Sequence, residues 1–194
     1  MCFRRIGLSV LFFIAAGPAL AHEVQGAAGG FATGFVHPLY GLDHVAAMVA
    51  VGLWGVFLGA PAIWILPVAF PLVMAIGGAL GATGIALPAV ETGIAASAIV
   101  IGVAVALALR PPIWIAALVV AFFAIFHGHA HGAEMPGAVS PLAYAAGFVI
   151  GTGLLHLAGV AFGLLARSRP GTLAVRGMGG VIAAAGVGFL TGAL

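Results

Sequence analysis

Lysine is absent from this 194-residue chain, cysteine occurs once, and only four acidic side chains accompany six arginines. Without lysine there is no phosphate loop ending in Gly-Lys-Ser/Thr, so the chain is not itself a P-loop ATPase. Charged residues make up 5% and apolar residues 64% of the sequence. So little charge cannot solvate a globule, and a water-soluble domain is excluded. The single thiol, Cys2, lies at the extreme N-terminus, so disulfides and thiolate metal sites are excluded from the rest of the chain. A formal charge of +2 carries no basic patch and gives no indication of a nucleic-acid partner.

What is present describes an all-α polytopic membrane protein in contact with membrane lipid. Residues 1–21 read as a signal peptide, with Arg4 and Arg5 ahead of the apolar run Ile6 to Ala16, then Gly17-Pro18 and an Ala19-Leu20-Ala21 cleavage site. An uncleaved first span is the alternative, against which stands a run shorter than the ~20 residues a span needs. Cleavage would remove Cys2 and leave His22 as the new N-terminus of a single transmembrane domain, residues 22–194. That domain divides at Pro, Gly and Arg into six predicted spans in one bundle, at about 39–59, 62–84, 92–109, 112–131, 141–166 and 174–193.

With residue 22 outside, each span reverses the side of the chain. Arg110, Arg167, Arg169 and Arg176 then all fall at the cytoplasmic face, as the positive-inside rule expects. Glu23, Glu91 and Glu134 fall on the outer side, and Asp43 one turn inside the first span. This describes a multi-pass membrane protein with its N-terminus on the outer, non-cytoplasmic side.

Against so apolar a background, seven histidines stand out. Neutral imidazole is the commonest protein metal ligand, and ionisable groups are costly in a membrane unless they have a task. Reading 37–44 as the start of one helix, Pro38 suits the first turn, and His37 and His44 share a face seven residues apart. His44 then lies about 10 Å deeper, with Asp43 near enough to orient its ring or share a cation. His127, His131 and Glu134, spaced i, i+4, i+7, align two nitrogens with a carboxylate if the helix persists, although Gly128 and Gly132 weaken it. His129 points elsewhere. His156, mid-span, is either a lower way-station for an ion or a core histidine bonded to backbone. His22, with its free α-amine after cleavage, is a further chelating group, and Glu91 is accounted for by the dipole at the start of its helix. The metal candidates are therefore His37, Asp43, His44, His127, His131 and Glu134, with His22, His129 and His156 in second rank.

Imidazole and carboxylate ligands without thiol suit Ni²⁺, Co²⁺ or Zn²⁺, and only Met48, four residues after His44, points toward copper. Pro67 and Pro71 are expected to kink the second span, and repeated Gly-x-x-x-Gly spacings to allow close helix approach.

Two segments, His37-Pro38-x-x-Gly41-x-Asp43-His44-x-x-Ala47-Met48-x-x-Val51-Gly52-x-Trp54 and Phe126-His127-Gly128-x-Ala130-His131-Gly132-x-Glu134, resemble the signature segments of the HupE/UreJ family. The resemblance implies a six-helix bacterial inner-membrane permease, driven without ATP, for divalent nickel and in some members cobalt. It also implies a functional link to hydrogenase or urease maturation, and a metal held by His37, Asp43, His44, His127, His131 and Glu134. No organic cofactor and no catalytic residue follow from it. Two other readings use the same residues: a membrane-embedded zinc hydrolase with Asp43 or Glu134 as general base, and a metal-binding accessory protein without transport. The hydrolase reading lacks a His-Glu-x-x-His helix.

Overall fold

The computed structural model describes residues 27–135, 137 and 140–194, so His22, Glu23 and the expected signal peptide lie outside the described residues. Seven α-helices and no strand occur among them: α1 Ala27–Tyr40, α2 Leu42–Leu58, α3 Ala62–Ala82, α4 Val90–Ala106, α5 Ile113–Ala133, α6 Pro141–Gly163 and α7 Arg169–Thr191. A 3₁₀ turn, Leu164–Arg167, extends α6. Local chemistry sets several ends. Ser140 and Ser168 cap α6 and α7 through Ala143 N–H and Gly171 N–H, each with a proline in the first turn.

Four helical segments, Ala62–Ala82, Ile113–Ala133, Pro141–Arg167 and Arg169–Thr191, are long and apolar enough to cross a membrane. At 1.5 Å per residue, 21 residues cover about 31 Å, close to the ~30 Å hydrocarbon core. α1 and α2, bent by 84° at Gly41, reach spanning length only together, as a broken span or a re-entrant pair. α4, with 17 residues, is apolar but shorter than the ~20 residues a straight span needs. The chain is a multi-pass membrane protein: four of the six predicted spans have a single helix of spanning length as counterpart, and the first reaches that length only when α1 and α2 are counted together.

The first predicted span differs. It does not open at His37 and Pro38: these belong to the last turn of α1, and a new helix starts at Leu42 beyond the bend. His37 and His44 therefore sit on different helices and not on one face of one helix.

α2 is the central helix, with most of its residues from Ala47 to Phe57 buried. It touches all six others, while the most extensive pairings are α3 with α5, α4 with α7 and α1 with α6. Glycine makes the α3–α5 pairing close. A Cβ at Gly128 or Gly132 would collide with the carbonyls of Met74 or Gly78, and one at Gly77 or Gly81 with those of Ile125 or His129. Gly128 and Gly132 thus serve helix packing, and α5 continues unbroken through both. Gly147 and Gly151 on α6 do the same against Phe31 and Phe35 of α1. α3 runs on as a helix through Pro67 and Pro71.

The outer surface is apolar, with Trp64, Leu72, Ile76, Leu118 and Phe122 all more than half exposed. Among the described residues, the buried polar ones are His44, Ser97, His127, His131, Thr152 and His156. A polar interior under an apolar exterior is the arrangement of a protein whose solvent is lipid. The arginine end is closed by backbone-directed bonds. Arg176 Nε donates to the Ala106 carbonyl at 2.7 Å, where α4 ends, and Trp54 Nε1 donates to Leu109 at 3.0 Å.

Candidate metal site

Four helices bring the sequence-predicted ligands together at the end of the bundle opposite those arginines. α1 contributes His37, α2 contributes Asp43 and His44, and α5 contributes His127 and His131, with Glu134 as its C-cap. α6 supplies His156 lower down.

The imidazoles form a line. His37 lies 4.8 Å from His131, His131 lies 4.2 Å from His44, and His44 lies 4.7 Å from His127, ring centre to ring centre. The Phe70 ring follows at 5.4 Å from His127 and leads on to His156 at 5.1 Å. Exposure is confined to the outer end: the His37 side chain is 24% exposed, whereas His131 and His44 are buried and His127 and His156 are 0% exposed.

At the exposed end, His37 Nε2 bonds Glu134 Oε2 at 3.1 Å. His37, His131 and Glu134 offer ligand atoms all within 4.8 Å of one another. Ligands about 2.1 Å from an ion stand no more than about 4.2 Å apart. A small side-chain movement therefore closes this group around a cation.

One turn deeper, Asp43 Oδ1 accepts from both the backbone N–H and the ring Nδ1 of His44, each at 2.8 Å. This fixes the ring as the sequence suggests and leaves Nε2 as its lone-pair nitrogen. Gly41 makes room for it, because a Cβ there would lie 2.8 Å from both Asp43 Oδ1 and His44 Nδ1.

Buried polar atoms normally have partners. Among the described residues, His44 Nε2, His127 Nδ1 and both nitrogens of His131 and of His156 have none. Tyr144 Oη and Thr152 Oγ1 are also without partners. A cavity of about 240 Å³ between α3, α5 and α6 reaches this region, lined by Met74, His131, Tyr144 and Phe148 among others. Chemically, the set is a row of imidazoles with one carboxylate at its mouth and another holding a ring from behind.

His129 stands apart, as its spacing predicts. Its Nε2 donates to the Ile85 carbonyl at 2.7 Å and ties the end of α5 to the α3–α4 connection. Sequence reasoning missed Ser97, whose hydroxyl bonds His127, and the aromatic contacts of Phe70, Tyr144 and Phe148. A lone serine or phenylalanine in an apolar helix carries no spacing signal.

Residues 10–189 match the family model described as HupE / UreJ protein. The chain belongs to the HupE/UreJ family. It is 46% identical to Protein HupE of Rhizobium leguminosarum bv. viciae over 176 residues, covering 90% of this chain and 92% of that protein. No solved structure matches it. The buried histidines of this HupE/UreJ chain, with Asp43 and Glu134, all lie within the matched residues.

Proposed function

We propose that the chain is a secondary permease that moves divalent nickel, or alternatively cobalt, across the bacterial inner membrane from the periplasm. On this reading the N-terminus is periplasmic after signal cleavage, α4 crosses the membrane as a sixth span, and the arginine end is cytoplasmic. The metal delivered serves hydrogenase or urease maturation.

The observation that carries the reading is the line of histidines with unpartnered buried nitrogens, running from a half-exposed mouth toward the middle of the bundle. Leaving such atoms unpaired costs about 1–3 kcal/mol each, a cost a passing cation offsets. His37, His131 and Glu134 take the hydrated ion and replace its water. His131 then hands it to His44 and His127, with Asp43 holding His44 in register. Phe70 separates these from His156, the inner way-station. Because successive ligand sets share His131 and none encloses the ion fully, each site releases what it binds. No ATP-binding loop exists, so movement follows the metal gradient or a coupled ion gradient.

Purified protein in liposomes, loaded with a metal-sensitive dye and offered Ni²⁺, Co²⁺, Zn²⁺ and Mn²⁺ in turn, tests this. Saturable nickel influx above protein-free vesicles supports it. Tight stoichiometric binding with no influx of any metal overturns it in favour of an accessory metal-binding role.

A further inference from the structure

Ser97, on α4, is fully buried against the inner end of the histidine line. A serine hydroxyl has one proton to give. Here it goes to the Ile94 carbonyl across 2.6 Å. The same oxygen lies 2.8 Å from His127 Nε2, and with its proton spent it can only accept there. In that arrangement His127 would carry its proton on Nε2 and keep its lone pair on Nδ1. That Nδ1 is buried and has no partner among the described residues.

The neighbouring ring is fixed the opposite way. Asp43 takes the Nδ1 proton of His44 and leaves Nε2 open. The two rings stand at 90° to each other, 4.7 Å apart. One presents Nε2 and the other Nδ1.

We infer that Ser97 is a positioning residue that locks the Nε2–H tautomer of His127 and thereby presents Nδ1 as a ligand to a divalent cation arriving from His131 and His44. The inference rests on the permease reading and names the nitrogen through which the inner ligand acts. The hydroxyl never touches the ion. It does for His127 what the carboxylate does for His44, and it does so without adding a charge that would hold the cation in place.

The test is solid-state ¹⁵N NMR of the full chain in lipid bilayers with ¹⁵N-imidazole histidine, the His127 signals being assigned by difference against His127→Gln. Without metal, His127 is expected to show a protonated Nε2 and an unprotonated Nδ1. Ser97→Ala should give a mixture of tautomers, and Ser97→Thr should restore the single form. Zn²⁺, a diamagnetic probe, should move the Nδ1 signal of the wild-type protein. In nickel flux, Ser97→Ala should raise KM by roughly 10-fold or more, the range expected when the support of a metal-bound histidine is removed, and Ser97→Thr should return it toward wild type. A wild-type His127 protonated on Nδ1 overturns the inference, and so does Ser97→Ala with unchanged tautomer and KM. If Zn²⁺ shifts His131 and His44 but not His127 Nδ1, the inference falls and the permease reading stands. If no divalent ion shifts any imidazole, both fall.

Discussion

Asp43 holds His44 at two points, the ring Nδ1 and the backbone N–H, through a single carboxylate oxygen 2.8 Å from each. Both residues lie in the first turn of α2, which begins anew beyond a bend of 84° at Gly41. A continuous helix would carry His37 and His44 down one face. The break instead lets His37 approach His131 from the side while His44 approaches it from within the bundle.

Removing that support should weaken metal capture without unfolding the chain. Asp43→Ala is expected to lower apparent affinity for nickel by about 10- to 100-fold, as loss of such a partner does at other metal-bound histidines. Asp43→Asn, which keeps an acceptor oxygen, should fall between the two. KM for nickel uptake in proteoliposomes checks both.

Gly41→Ala should reproduce much of this loss without touching a ligand. Its Cβ would lie 2.8 Å from the Asp43 carboxylate and from His44 Nδ1, so the pair has to move. Reduced nickel flux with an unchanged melting temperature is the expected result, read by transport and thermal unfolding of the same preparation.

Glycines of the α3–α5 seam should matter for stability instead. Gly128→Ala forces the helices apart at the Met74 carbonyl and should cost about 1–3 kcal/mol, the usual penalty for overpacking. Gly153→Ala on α6 meets no atom within 4 Å and should be neutral or stabilising, since alanine favours helix over glycine by about 1 kcal/mol. Thermal unfolding in detergent compares them.

His129 should prove separable from its neighbours in the same nine-residue motif. His129→Ala loses one hydrogen bond to Ile85, worth about 0.5–1.5 kcal/mol, and should transport nickel at close to the wild-type rate. Flux and unfolding measured together check it.

Much of this organisation was legible in the chain. Apolar runs bounded by Pro, Gly and Arg mark the long helices to within a few residues, because a membrane span must be continuous and apolar over most of its length. The spacing of His127, His131 and Glu134 shows their common face. α1 was not legible: residues 27–36 are small, glycine-rich and shorter than a span. They form a helix because α6 offers Gly147 and Gly151 for α1 to pack against. Pro38 misleads for a related reason, since a proline suited to a first helical turn stands here in a last one. The tautomer of His127 depends on Ser97, thirty residues away on another helix, and only the packed structure brings the two together.

In the proposed path His131 is shared between the outer group, with His37 and Glu134, and the inner rings of His44 and His127, and the proposal stands or falls on that sharing. The direct measurement is nickel influx into proteoliposomes containing wild-type protein or His131→Ala at equal density and orientation. The account predicts that influx falls to the level of protein-free vesicles while the variant stays folded and α-helical. Influx by folded His131→Ala at the wild-type rate would contradict it.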